Sequence, residues 1–265
     1  MDMTKYYFSP EENPLDIIKP DGGFISIFRS IAVIGDSLAS GEFTATEDGK
    51  PVGHDMYDYS WGEYIARITG INVLNFSRGG MTAKEYIESW GEENEFWDPK
   101  KACQAYILAL GVNDVCNLLY DLGTVDDIDF ENCENNAPTF AGYYGRIISK
   151  YKKIQPKGRF FLITMPRSGE INEIEKIKEN HAKLLNDIAE KFEFTYVIDL
   201  NKYGPPYDGE FYSKFFMMGH MNAQGYIFSA HIIMSYIDYI VRKYPEDFAQ
   251  IPFIGTPYIN EKYKW

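Results

Sequence analysis

Five short apolar runs constrain the fold more than any other feature of this sequence: IAVIG (31–35), INVLNFS (71–77), AYILAL (105–110), RFFLITM (159–165) and FTYVIDL (194–200). They are close to continuously apolar, which marks strands buried on both faces. Helical patterns fall between them, at 61–69, 82–90, 139–154 and 173–192, with a last one at 222–244. Strands alternating with helices predict a mainly parallel sheet covered on both sides, a three-layer α/β/α sandwich. No internal repeat and no Pro/Gly/Ser linker divides the chain. The expected organisation is a single α/β domain over 1–265, with 1–30 and 245–265 as extensions packed on it.

Charge narrows the partners. Acidic residues outnumber basic ones 39 to 26, a formal charge of −13, which argues against nucleic acid or an anionic membrane surface, since both need clustered Lys and Arg. Small uncharged substrates remain open. Cys103, Cys116 and Cys133 are odd in number and follow no metal-ligand spacing, so they are expected as reduced thiols and the compartment as cytoplasmic. The first twenty residues show no basic and then apolar leader pattern, and no apolar run is long enough for a membrane span. Neither HxxxH, HExxH nor a calcium-loop spacing is present, so no metal is expected.

In an open α/β sheet, ligands bind beyond the carboxyl ends of the strands. GDSLASGE (35–42) follows the first run, NFSRGGMT (75–82) ends the second, GVND (111–114) follows the third, and a long loop after the fifth leads to His220. Ser37 stands where strand turns to helix, so its own N–H points toward whatever is bonded to its oxygen. Gly80 offers an N–H with no side chain in the way. Asn113 offers a neutral donor, and His220 a base. A nucleophile, a base and three oxyanion donors are the parts of acyl transfer to serine. His54 and Arg167 are candidates for touching substrate. His181 and His231 fall among apolar residues at helical spacing and are expected to pack. Ser77, in NFSRG, does not match the nucleophile elbow GxSxG.

These four segments, in this order over 31–226, resemble the conserved blocks of the SGNH, or GDSL, hydrolases. The resemblance implies a flavodoxin-like three-layer fold, no cofactor, Ser37 as nucleophile, Gly80 and Asn113 completing the oxyanion hole, and His220 as base. It also exposes a departure. The family has an Asp three residues before the histidine, and here that residue is Met217. Members that resemble this sequence in using a serine–histidine dyad orient the ring with the main-chain carbonyl at that position, which maps onto Met217; a loop acid such as Asp208 or Glu210 is the alternative. The implied activity is hydrolysis of carboxylic esters, most simply short acyl or O-acetyl groups on a carbohydrate or small molecule. A non-catalytic carbohydrate- or ester-binding member and an acyltransferase are the alternatives.

Overall fold

The structure, a computed structural model, describes residue 4, residues 6–260 and residue 262. The remaining positions, which belong to the two expected terminal extensions, lie outside the described residues. Five strands form one parallel sheet: β1 (Ser30–Gly35), β4 (Asn72–Asn75), β5 (Ala105–Ala109), β6 (Arg159–Ile163) and β7 (Thr195–Ile198), in the order β4-β1-β5-β6-β7. Register runs Ile31 against Val73 on one side and against Ala105 on the other. Between β1 and β4 the chain inserts an antiparallel hairpin, β2 (Glu42–Glu47) and β3 (Lys50–Asp55). A second, two-residue-stranded hairpin, β8 (Phe216–Met217) and β9 (His220–Met221), precedes the last long helix.

The expected three layers are present, and the strands show why. Ile31, Val33, Ile107, Phe161 and Ile198 point into one apolar cluster, while Ala32, Ile34, Tyr106, Leu108, Phe160 and Leu162 point into the other. That is the period-two alternation of a strand with both faces covered. The first face is closed by α2 (Trp61–Thr69) and by α6 (Ala223–Lys243); the second by α3 (Phe140–Ile154) and α4 (Glu173–Ala189). The N-terminal segment is clamped to α6. Arg242 donates to both carboxylate oxygens of Glu12, to the Tyr7 carbonyl and to Asp238, and Asp238 in turn accepts the Phe24 N–H.

The strand order also places the site. The chain leaves β1 for β4 on one side and then crosses back to β5 on the other. The connections diverge at the carboxyl end of β1, opening the crevice in which α/β folds bind ligands. Ser37, the Gly80 loop and Asn113 follow these three adjacent strands. No helix among the described residues is long and apolar enough to cross a membrane, and Cys103, Cys116 and Cys133 are unpaired.

Candidate active site

β1 ends in a sharp turn into α1 (Ser37–Ser40), and Asp36 caps that helix by accepting the Leu38 N–H at 3.1 Å. A Cβ at Gly35 would collide with the Ala39 side chain and the Ala109 carbonyl, so glycine is what lets the chain fold back here. As the first helical residue, Ser37 keeps an N–H with no intrahelical partner. Burial pushes the Asp36 carboxyl up to about 7, in keeping with a capping role beneath the serine.

The second block is held open from below. Asn75 accepts the Ser77 N–H at 3.0 Å and donates to the Ala39 carbonyl at 3.1 Å, tying the first two blocks together. Both carboxylate oxygens of Asp55 accept the Gly79 N–H, and the Ser40 hydroxyl donates to the same group. Gly80 then sits at φ 71° with open space where a Cβ would be, a conformation that favours glycine. Ser77 is buried and donates to the Val33 carbonyl, so it is not poised to attack anything.

The third block forms a π-helical turn, Val112–Asn117, after Gly111 at φ 137°. A side chain at Gly111 would lie 2.6 Å from His181 Nε2. His181 is fully buried, contacts the Leu110 carbonyl at 3.3 Å, and is pushed down to about 4 by burial; it is a neutral prop under the turn. Asn113 is oriented at both ends of its amide. Its Oδ1 accepts from Asn117 Nδ2 at 2.8 Å, and its Nδ2 donates to the Met81 carbonyl at 3.1 Å. An amide nitrogen carries two hydrogens, so one N–H is left for a substrate oxygen. Asp114, whose carboxyl burial raises to about 6, accepts the Ala83 N–H at 2.9 Å and locks the second block to the third. Asn113→Ala is expected to lower kcat a hundredfold or more, about 2.7 to 4 kcal/mol for one oxyanion donor, with KM little changed. A change confined to KM in steady-state assays would assign Asn113 to ground-state binding.

His220 stands beside a two-residue turn made by Met218 at φ 52° and Gly219 at φ 97°. For the ring of His220 the structure gives a neighbour other than the expected Met217 carbonyl. Met217 is the register partner of His220 across this turn, so their main chains face each other, and the ring reaches away to the other hairpin. Nδ1 lies 2.8 Å from the Thr44 hydroxyl, and Nε2 lies 3.6 Å from Glu42 Oε1. The loop acids have other partners. Asp208 caps α5 (Gly209–Phe215) by accepting the Phe211 N–H, and Glu210 pairs with Lys214 in solvent. The two candidate substrate contacts also have other partners. His54 pairs with Glu47 on the outer part of the β2–β3 hairpin, and Arg167 donates to the carbonyls of Asn201 and Lys202, fastening one rim loop to another. Neither is among the residues lining the cavity.

That cavity, about 340 Å³, is lined by Ser37, Asn113 and His220 together. It extends inward between Ile163, Leu200, Tyr207, Phe228, Ile232 and Ile233. Three of the four expected chemical groups therefore meet at one largely apolar hole; Gly80 is exposed and is not among the residues that line it. The sequence reading missed Glu42, Thr44, Asp55 and Asn117. The hairpin that carries the first three does have a signal: Asp48-Gly49, both at positive φ, is the dipeptide that type I′ hairpin turns prefer.

A parallel sheet with serine, asparagine and histidine gathered at one cavity beyond its strands has the architecture of an SGNH hydrolase. The chain belongs to the GDSL-like lipase/acylhydrolase family, whose model matches residues 31–233. Among solved structures it is similar to a carbohydrate esterase family 2 enzyme with a carbohydrate binding domain from Corynascus thermopiles (Myceliophthora fergusii), at 14% identity and TM-score 0.54, covering 79% of this chain and 65% of that one. A family two carbohydrate esterase from Clostridium thermocellum aligns at 16% identity and TM-score 0.53, covering 81% and 63%. The acetyl xylan esterase AlAXEase aligns at 16% identity and TM-score 0.51, covering 78% and 99%. The chain thus spans just under two thirds of the length of the first two. At these identities the likeness is one of fold. No curated protein sequence matches this one.

Proposed function

We propose that this protein hydrolyses carboxylic esters through an acyl-serine intermediate. The observation that carries the reading is the convergence of Ser37, Asn113 and His220 on one cavity. Ser37 Oγ bonds to the ester carbonyl carbon while its proton passes to His220. The carbonyl electron pair moves onto oxygen, where the Ser37 and Gly80 N–H groups and the free Asn113 N–H receive it. Collapse breaks the bond to the alcohol, which takes the proton back from His220. Water repeats the sequence and releases the acid.

The cavity supports a reading of the acyl group. At about 340 Å³ it is more than twice the roughly 150 Å³ that encloses a benzene, and its lining is mostly aliphatic and aromatic, with Asn117, Thr164, Lys178 and Ser229 as polar members. An acetyl group leaves most of it empty, whereas a chain of several carbons fills it. The names of the structural neighbours support an alcohol portion drawn from carbohydrate. With p-nitrophenyl esters, kcat/KM is expected to rise from acetate to about hexanoate, by up to about fourfold per methylene at roughly 0.8 kcal/mol each. A flat series, with acetylated sugar oligomers preferred, would overturn the acyl assignment and favour an O-deacetylase.

A further inference from the structure

The β2–β3 hairpin leaves α1 directly at Gly41 and lays Glu42 and Thr44, two residues apart and so on one face of β2, along the edge of the His220 ring. Two facts distinguish Glu42 from an incidental neighbour. Its carboxylate occupies a slot between Gly53 and Gly79, where a Cβ on either glycine would collide with it. Its strand is pinned by Tyr226, which donates to the Glu42 carbonyl at 2.6 Å. The carboxylate is also mostly buried, its side chain 15% exposed, and among the described residues its one ionic partner is His220.

We infer that Thr44 and Glu42 divide the work of the acid missing at Met217: Thr44 orients His220, and Glu42 stabilises the positive charge that His220 acquires when Ser37 gives up its proton. This rests on the esterase reading above. The Thr44 hydroxyl lies 2.8 Å from Nδ1 and fixes the ring's orientation; in the tautomer that leaves a lone pair on Nε2, the hydroxyl is the acceptor for Nδ1–H. At 3.6 Å, Glu42 is beyond hydrogen-bonding distance of Nε2, so it does not occupy the atom that must take the serine proton. Once that proton arrives, an imidazolium and a carboxylate face each other at a partly buried site, their side chains 24% and 15% exposed, where such a pair interacts more strongly than in open solvent. The charge appears only during reaction, so the attraction lowers the barrier and leaves substrate binding alone. Other ionisable groups border the ring's surroundings: Asp36 beside Ser37, Asp55 on β3, Tyr212 on α5, Tyr226 on α6 and Lys178 on α4. Asp55 is committed to the Gly79 N–H and Ser40, and Lys178 to Glu175, which leaves Glu42 as the anion directed at the ring.

Glu42→Gln fits the same slot without the charge. In the ester assay kcat of Glu42→Gln is expected to fall about ten- to a hundredfold with KM nearly constant, and Glu42→Asp, which keeps a carboxylate, to retain more of kcat than Glu42→Gln. A kcat in Glu42→Gln within a few-fold of wild type, or a loss carried by KM alone, overturns the inference. If the wild-type protein hydrolyses no ester, the proposed function fails; if it does and Glu42→Gln matches it, only the role of Glu42 fails.

Discussion

Ser37→Ala is expected to remove ester turnover, a loss of roughly ten-thousandfold or more in kcat, because no other group can form the acyl intermediate. The fold should be indifferent to the change. Capping of α1 comes from the Asp36 side chain, and the Ser37 carbonyl that accepts from Ser40 Oγ is retained in alanine. The urea midpoint is therefore expected to stay near wild type, as for substitutions that leave core packing and caps intact. A fluorophosphonate should label wild type once, at Ser37, and leave Ser37→Ala unlabelled. Ser77 provides the internal contrast, since it is 1% exposed with its hydroxyl turned to the Val33 carbonyl. Label found at Ser77, or turnover retained in Ser37→Ala, would dismantle the nucleophile assignment.

The four blocks were legible because each is punctuation imposed by the sheet. A strand buried on both faces reads as an apolar run, and its carboxyl end is where the run stops, so the sequence itself sets Asp36-Ser37, Gly79-Gly80 and Asn113-Asp114 just beyond strand ends. The hairpin over that rim was not legible in the same way. Its strands, EFTATE and KPVGHD, are mostly exposed and partly polar, so burial leaves no strong pattern on them, and the Asp48-Gly49 turn is the one local mark. Asn117 was hidden for another reason: it meets Asn113 at i, i+4 within Val112–Asn117, a turn too short to leave a periodic pattern in the sequence. The orientation of His220 lay furthest from the sequence. Thr44 lies 176 positions before it, and a main-chain carbonyl close to the histidine in sequence is the natural expectation when no local spacing points to the hairpin.

The second large effect belongs to His220 itself. His220→Ala is expected to lower kcat by roughly four orders of magnitude, comparable to loss of the nucleophile, because base and nucleophile act as one unit and their losses are not additive. A double variant, Ser37→Ala with His220→Ala, should accordingly be no slower than either single one. The acids first suspected of serving His220 are the controls. Asp208→Asn should leave kcat within a few-fold and stability nearly unchanged, since the aspartate caps α5 through the Phe211 N–H and asparagine caps nearly as well. Glu210→Gln should leave both unchanged, because an exposed pair such as Glu210 with Lys214 contributes little. Thr44→Val separates orientation from charge: it keeps the shape and removes the Nδ1 acceptor, so kcat should fall while the Glu42 carboxylate stays in its slot between Gly53 and Gly79. A hundredfold loss in Asp208→Asn or Glu210→Gln, with Thr44→Val and Glu42→Gln near wild type, would mean that the loop rearranges to deliver its own carboxylate and that the hairpin is only a wall of the site.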